Sequence, residues 1–243
     1  MAVGNQPDLV REVERLREEL ALREREAADR ERQLERYAAD LRETYKEERA
    51  RSRELVRALS NAVEARDAYT SKHAERVTAY ALELARALGT TLADTAEIEF
   101  GFLLHDIGKV AVPDAILWKP GPLTDEERAL MTQHPLIGAE IVRGIDFLGP
   151  AAEVVRSHHE RWDGNGYPDG LEGEQIPLAA RVFAVADVLD ALTTERPYRH
   201  ASPLRVAREM IVAESGTQFD PGVVEAFCTI PDELLERIRS DIQ

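Results

Sequence analysis

The first 60 residues place apolar and charged side chains with the period of one long helix. Residues 8–58 contain no Gly or Pro and consist mainly of Glu, Arg, Leu and Ala. Alternate steps of four and three residues trace a seam that is apolar near both ends and interrupted by polar side chains in its middle. The seam comprises Leu9, Val13, Leu16, Leu20, Arg23, Ala27, Arg30, Leu34, Tyr37, Leu41, Thr44, Glu48, Arg51, Leu55 and Ala58. This pattern predicts a parallel coiled-coil dimer. The alternative is a single solvated helix held by Glu–Arg pairs four residues apart.

The rest of the chain shows the spacing of amphipathic helices and no alternating strand pattern. Apolar positions predict a helix over 60–88 that ends at Gly89, and a second helix from Thr91 to about His105. Thr124 and Glu127 form a capping-box pattern, which predicts a helix start. The helical region that begins at Thr124 is expected to end near Gly144, with a helix boundary or kink at His134-Pro135. Further helices are expected at 150–159, 178–193, 203–214, 220–228 and 231–241, with Gly-rich turns at 164–173. The predicted fold class is all-α, with a charged N-terminal helix over 1–58 and a globular domain over 59–243.

Charge and composition narrow the class of partner. The formal net charge is −15, and residues 1–60 are nearly balanced with 14 basic and 15 acidic side chains. The remaining 17 basic and 31 acidic residues give 61–243 a net charge of −14. Such a surface repels polyanions, so we expect no binding of long nucleic acid. The single Cys228, the lack of an apolar run of about 18 residues and the absence of a leader pattern predict a cytoplasmic protein without a membrane span.

Histidines are concentrated in two short runs that suit transition-metal binding. The chain has 6 His, and three of them lie in the runs His105-Asp106-Ile107-Gly108-Lys109 and His158–Pro168. A His followed by Asp offers a nitrogen and an oxygen ligand, and two successive His offer two more nitrogens. Mixed imidazole and carboxylate donors favour Fe, Mn or Zn over Mg or Ca, which prefer oxygen ligands.

Several ordered motifs give the chain a family resemblance over about residues 60–229. Besides the two histidine runs, the motifs are Asp67-Ala68-Tyr69-Thr70-Ser71-Lys72-His73 with Arg76-Val77, Val112-Pro113-Asp114, Lys119-Pro120-Gly121, Asp187-Val188-Leu189-Asp190-Ala191-Leu192, Arg196-Pro197-Tyr198 and Phe219-Asp220-Pro221. With these motifs in this order, the chain resembles the HD-GYP domain, a branch of the HD phosphohydrolase superfamily.

The resemblance implies an HD-type helical bundle with a metal centre. It implies hydrolysis of the 3′–5′ phosphodiester of cyclic di-GMP by a hydroxide that two metal ions activate. One ion would be held by His73, His105, Asp106 and Asp187. Asp106 would bridge to a second ion, completed by His134, His158 and His159. Fe or Mn is expected, and Zn, Ni or Co would also suit these donors.

The resemblance also implies roles for residues around the metals. Lys109 would hold a phosphate oxygen or help protonate the leaving group. Arg196 and Arg199 would grip a substrate phosphate, although the second position is more often Lys in relatives. Tyr167 would either stack on a guanine or shape its own loop. Three acidic residues would order the site without binding metal themselves; these are Glu160 and Asp163 in the loop, and Asp190 one helical turn beyond Asp187. His200 matches no motif and is expected at the surface.

One departure from the family bears on the number of metals. Relatives thought to hold three metals carry a Glu four residues before the first ligand histidine, and here that position is Tyr69. Two metals are therefore expected. Among relatives the two-metal type is associated more with linear pGpG as the product, and the three-metal type with GMP. The resemblance thus implies pGpG here, with onward hydrolysis to GMP as the alternative. One alternative is hydrolysis of another cyclic or linear nucleotide. The other is a catalytically silent cyclic-dinucleotide receptor or scaffold, which the presence of all seven candidate ligands disfavours. A homodimer through the N-terminal helix, and a diguanylate cyclase or another signalling protein as partner, complete the expectations.

Overall fold

The fold is helical throughout the part of the chain that the structure describes. The computed structural model describes residues 6–66, 72–195 and 200–242. The helices are α1 (Gln6–Glu64), α2 (His73–Ala87), α3 (Ala96–Leu103), α4 (Asp114–Leu117), α5 (Asp125–Met131), α6 (His134–Arg143), α7 (Ala151–Ser157), α8 (Leu178–Thr193), α9 (Leu204–Ala213), α10 (Pro221–Thr229) and α11 (Asp232–Asp241). Short 3₁₀ turns lie at Thr91–Asp94, Ile107–Ala111, Asp146–Leu148 and Gly173–Gln175. Within these described ranges there is no strand, only two isolated bridges, so the predicted all-α class is confirmed.

The chain divides into two compact units at Ser52 and Arg53. In the first unit, α1 is a continuous helix whose leucines are exposed to solvent. The last three turns of α1 belong to the second unit. There Val56 is 2% exposed, and Ser60 Oγ donates a hydrogen bond to the carbonyl of Leu103. The compact unit therefore begins before residue 59, where the sequence predicted the second domain to start.

The second unit has two hydrophobic clusters, and α8 is central to the larger one. The larger cluster joins α2, α8, α9, α10 and α11 around fully buried side chains such as Phe183 and Phe227. The smaller cluster joins Val56 to α3, α6 and α7. Phe102 from α3 stacks on Phe183 with ring centroids 5.4 Å apart, so an aromatic contact links the end of α3 to the core of the larger cluster.

Two helix predictions are wrong in their extent. The single helix expected over 60–88 is two helices, because α1 ends at Glu64 and α2 begins at His73. Lys72 has a positive φ of 62°, a left-handed conformation that cannot continue an α-helix. The helix expected from Thr91 to His105 is a 3₁₀ turn followed by α3, which ends at Leu103.

The remaining predicted helices are present. α8 has the predicted bounds, and the other C-terminal helices agree to within two residues or so. The Thr124–Glu127 capping box forms at the start of α5 in both directions. The break before Pro135 lies between Met131 and His134, where α5 ends and α6 begins. These features follow from local signals at helix ends.

Candidate metal centre

Five histidines and two aspartates meet in one cluster. The residues form two groups that share Asp106. Within each group, the potential ligand atoms all lie within 4.8 Å of one another. The groups are His73, His105 and Asp106, and Asp106, His134, His158 and His159. Asp187 joins through its Oδ1, which lies 3.3 Å from His73 Nε2. The structure thus brings together all seven residues that the resemblance selected, and leaves the remaining His200 fully exposed beside Glu195.

Three of these histidines stand just past the C-terminal end of a helix. His105, His134 and His158 follow the ends of α3, α5 and α7. Each ring folds back on the preceding turn, so that Nδ1 lies 2.8–2.9 Å from the carbonyl oxygen three residues earlier. The last carbonyls of a helix have no partner within the helix and accept such bonds readily. The local sequence therefore fixes each ring by a short-range contact.

These contacts decide which ring nitrogen faces the centre of the cluster. A carbonyl oxygen only accepts, so each Nδ1 must carry the proton and donate it. In the neutral ring Nε2 is then an acceptor, available to a cation. His105 Nε2 lies 3.1 Å and His134 Nε2 lies 3.3 Å from oxygens of Asp106. A ligand imidazole whose other nitrogen donates to a backbone carbonyl is the usual arrangement at protein metal sites.

The electrostatics of the His134–His158 pair favour a cation between the rings. Their Nε2 atoms are 3.3 Å apart, although both are acceptors. Burial, together with the neighbouring histidines, lowers the pKa of His158 well below its usual value. Burial also lowers the pKa of His159 to about 4. The His158 ring is therefore neutral near neutral pH, and a metal ion between the rings would satisfy the lone pairs of both. The donor set and its geometry fit a divalent transition metal.

His73 is held from the opposite side by carboxylates. Its Nδ1 donates to Asp190 Oδ2 at 2.7 Å, and its Nε2 faces Asp187. Burial alone would lower the pKa of His73, but the two carboxylates outweigh it and raise this pKa to about 10. Arg76 binds both oxygens of Asp190, at 2.7 and 3.1 Å. The sequence predicts no role for Arg76, whose only signal is its place in a motif.

The two carboxylates of the cluster border its open side, whereas four of its five imidazoles are buried and His159 is half-buried. The side chains of Asp106 and Asp187 are 21% and 23% exposed, whereas those of His73, His105 and His134 are at most 7% exposed. Lys109 Nζ lies 2.8 Å from Asp106 Oδ2. Burial would raise the pKa of Asp106, but Lys109 and the adjacent histidines hold it well below its usual range. Asp106 is therefore ionised and able to bridge two cations.

A close backbone crossing sets the distance between Asp106 and His134. A Cβ at Gly108 would lie 1.9 Å from the carbonyl oxygen of His134 and 2.6 Å from the nitrogen of Gly138. Only glycine permits such an approach. The turn that carries Asp106 and Lys109 therefore rests directly on the first turn of α6, which carries His134.

The loop after His159 is organised by the buried Glu160 and the half-buried Tyr167. Glu160, 4% exposed, accepts hydrogen bonds from the backbone nitrogens of Asp169 and Leu171 at 2.7 and 3.1 Å. The Tyr167 ring packs on His159 with centroids 4.8 Å apart. Burial raises the pKa of Tyr167, so its phenol stays neutral. Tyr167 therefore links this loop to the candidate ligand His159.

Some predicted residues lie outside the described ranges. These are Arg196 and Arg199, the proposed phosphate contacts, and Tyr69 with the motif residues around it. Asp163 pairs with Arg161 at 2.8 Å and accepts from the Asn165 nitrogen at 3.1 Å, so it orders the loop locally.

Comparison with known proteins identifies the family. Residues 57–223 match the HD domain family. The chain is 46% identical over 178 residues to the cyclic di-GMP phosphodiesterase response regulator RpfG of Xanthomonas campestris, which covers 72% of this chain and 47% of the relative. It is 41% identical to the 3′3′-cGAMP-specific phosphodiesterase 2 of Vibrio cholerae, over 81% of this chain and 37% of the relative. The chain therefore belongs to the HD domain family, and the resemblance to its HD-GYP branch is confirmed.

A solved structure gives the same fold. A crystal structure of a cyclic GMP-AMP-specific phosphodiesterase of Vibrio cholerae (V-cGAP3) matches with a TM-score of 0.55 at 20% identity, over 76% of this chain and 53% of that chain. The chain spans about half or less of the length of its curated relatives. Among the described residues, no helix is long and apolar enough to span a membrane.

Proposed function

We propose that this protein is a metal-dependent phosphodiesterase that hydrolyses the 3′–5′ phosphodiester of cyclic di-GMP to linear pGpG. The observation that carries the proposal is the cluster of seven side chains around Asp106, with the imidazole nitrogens turned inward. Similarity to relatives that are named as cyclic di-GMP phosphodiesterases supports the choice of substrate.

The ligand assignment follows the two overlapping groups. His73, His105, Asp106 and Asp187 would hold one ion, and Asp106, His134, His158 and His159 would hold the other. Bound divalent ions would activate a water molecule and stabilise the charge that develops on phosphorus. Five imidazoles favour Fe or Mn, with Zn, Ni or Co also compatible, over Mg or Ca.

The side chains around the open side of the cluster would act on the substrate. Lys109, already beside Asp106, would hold a non-bridging phosphate oxygen or protonate the leaving oxygen. Arg196 and Arg199 would bind the second phosphate, since guanidinium groups match phosphate geometry. Tyr167 would keep His159 in place and border the base of the substrate.

The test of this function compares substrates and products directly. Protein reconstituted with Fe(II) or Mn(II) under reducing conditions is incubated with cyclic di-GMP or 3′3′-cGAMP, and the products are resolved chromatographically. We expect pGpG from cyclic di-GMP, and loss of turnover in Asp106→Asn. The matched control is His200→Gln, which removes the one exposed histidine. Absence of turnover by metal-replete protein would contradict the hydrolase, and GMP as the sole product would contradict the two-metal proposal.

A second candidate is a silent receptor for the same messenger. The relatives named for cyclic di-GMP and for cGAMP make a cyclic dinucleotide the expected ligand in either case. Metal content separates the two functions, because fewer than one metal ion per chain after reconstitution would favour the receptor.

We also propose a parallel dimer through the exposed part of α1. With Val13 at heptad position a, the g positions are almost all acidic: Glu12, Glu19, Glu26, Gln33, Asp40, Glu47 and Glu54. An antiparallel pair would set these g positions against each other, and like charges disfavour such pairing. A parallel pair sets them instead against the e positions, of which only two are acidic: Arg17, Glu24, Glu31, Ala38, Tyr45, Ser52 and Leu59. Pairs within the helix, such as Glu19–Arg23, support the single-helix alternative. A cytoplasmic location and a diguanylate cyclase or other signalling partner remain predictions from the sequence.

A further inference from the structure

Glu64 supplies the first turn of α2 with the cap that its own sequence lacks. Its Oε1 accepts a hydrogen bond from the backbone nitrogen of Ala74 at 2.6 Å. Lys72, at the N-cap position of α2, makes no side-chain capping bond and pairs with Glu75. The first nitrogens of a helix have no partner within the helix and are normally satisfied by a capping side chain. Here the acceptor comes from the last residue of α1.

The position of Glu64 links this cap to the metal cluster. Glu64 lines a small cavity with His73, His105, Asp106 and Lys109. Neither candidate ligand group found among the described residues includes it, so the carboxylate lies beside the cluster without completing it. The residue that it caps, Ala74, directly follows His73.

We propose that Glu64 is a positioning residue for His73. Asp190 fixes the imidazole ring of His73 through Nδ1, whereas Glu64 fixes the backbone from which the ring projects. A shift of the first turn of α2 would move Nε2 of His73 away from Asp187 and Asp106. The inference rests on the proposed function, because it assigns Glu64 to the ion that His73, His105, Asp106 and Asp187 would share.

Loss of the Glu64 cap is expected to weaken only the ion site that includes His73. His134 and His158 are held by their own contacts to the ends of α5 and α7. Neither contact involves α1 or α2. Loss of the Glu64 cap should therefore release one ion and leave the other bound.

The experiment compares three variants of the full chain. Glu64→Ala removes the cap, and Glu64→Gln keeps an acceptor oxygen of the same reach. Asp220→Ala is the control, because Asp220 accepts from the Gly222 nitrogen at 2.8 Å and caps α10, which carries no candidate ligand. Asp220 also pairs with Arg181 of α8, so this control is a more severe loss than that of a helix cap alone. Metal ions per chain are measured after reconstitution with Mn(II) and desalting. Amide hydrogen exchange over residues 72–80 is measured in metal-free protein.

We expect two ions per chain in the parent protein, in Glu64→Gln and in Asp220→Ala, and one in Glu64→Ala. Exchange in the first turn of α2 should be about five- to tenfold faster in Glu64→Ala, as for loss of one helix cap, and unchanged in Glu64→Gln. If Glu64→Ala does not fold, Glu64→Asp is used in its place, because its carboxylate is shorter by one methylene. We expect Glu64→Asp to bind less metal and to exchange faster than Glu64→Gln and Asp220→Ala.

Two results would overturn the inference. One is full metal content with unchanged exchange in the variant that lacks the cap. The other is an equal metal loss in Asp220→Ala, which would show general destabilisation. If the parent protein binds no metal, the proposed function fails, and hydrogen exchange alone decides the role of Glu64. Faster exchange that is confined to α2 in Glu64→Ala and absent in Glu64→Gln then supports the positioning role of Glu64. Unchanged exchange in Glu64→Ala overturns it.

Discussion

His73 Nδ1 and Asp190 Oδ2 lie 2.7 Å apart, although 117 residues separate them in the chain. Arg76 binds the same carboxylate through two nitrogens, and both Arg76 and Asp190 are buried. The guanidinium keeps Asp190 ionised and fixes its plane. The carboxylate in turn orients the His73 ring, so that Nε2 points at Asp187. The chain of contacts is the carboxylate–histidine arrangement that tunes metal ligands in other proteins.

Replacing Asp190 by Asn should weaken the binding of the metal ion that His73 would hold. An amide is a weaker acceptor than a carboxylate, and its NH₂ group can face Nδ1 and favour the wrong tautomer. We expect a loss of about 10- to 100-fold in affinity for the ion bound by His73, measured by competition with a metal-binding dye. Glu195→Gln, at the exposed residue beside His200, is the control. Unchanged affinity in Asp190→Asn would show that the His73 ring does not need this contact.

Gly108→Ala should disrupt the crossing between the Asp106 turn and α6. The added Cβ would meet the His134 carbonyl oxygen at 1.9 Å, so the two segments must separate. We expect a loss of unfolding free energy of about 1–3 kcal/mol or more and weaker metal binding, because Asp106 and His134 would move apart. The matched control is Gly149→Ala, whose Cβ would find its nearest atom at 3.8 Å. Thermal unfolding and metal content together test this, and similar values for both variants would contradict it.

The helices could be predicted from the sequence, since their signals are local. The apolar run of α8 follows Pro177, and the start of α5 is marked by a capping box. The break between α1 and α2 could not be predicted, because apolar positions continue at helical spacing past Glu64. In the structure, the end of α1 at Glu64 and the left-handed backbone of Lys72 mark it.

The sequence could predict which residues form the candidate metal centre. It could not predict the contacts that hold those residues in place. The motifs selected seven residues, and the structure brings those seven together. The contact of Asp190 with His73 depends on packing between α2 and α8, which no periodicity encodes. Glu64 gave no signal at all, because it ends a helix in which acidic residues are common.

Glu160→Gln should loosen the loop that carries Tyr167. The Glu160 carboxylate accepts from two backbone nitrogens, whereas an amide can accept only through its oxygen. One partly buried backbone N–H would lose its charged acceptor, at a cost of about 1–3 kcal/mol in unfolding free energy. We expect faster hydrogen exchange over residues 164–171 and a higher KM, since the Tyr167 ring packs on His159. The control is Glu174→Gln, an exposed carboxylate of the same loop. Equal exchange rates in the two variants would show that Glu160 does not hold the loop.

The proposed coiled coil can be tested with two leucines that are equally exposed. Leu20 and Leu22 are both 57% exposed, but only Leu20 lies on the predicted seam. A charge at a seam position opposes pairing, whereas a charge outside it remains solvated. We therefore expect Leu20→Lys to be a monomer and Leu22→Lys to stay a dimer, as judged by light scattering at several concentrations.

Removing N-terminal residues can show whether α1 is needed for dimer formation, for folding or for both. A chain that starts at Arg53 should be monomeric and should unfold at the temperature of the Leu20→Lys variant, because Val56 and Ser60 keep their contacts. A chain that starts after residue 58 loses Val56 from the smaller cluster, and we expect its unfolding free energy to fall by about 1–3 kcal/mol. A dimer that survives both Leu20→Lys and removal of residues 1–52 would place the association surface elsewhere in the protein and leave α1 as a single solvated helix.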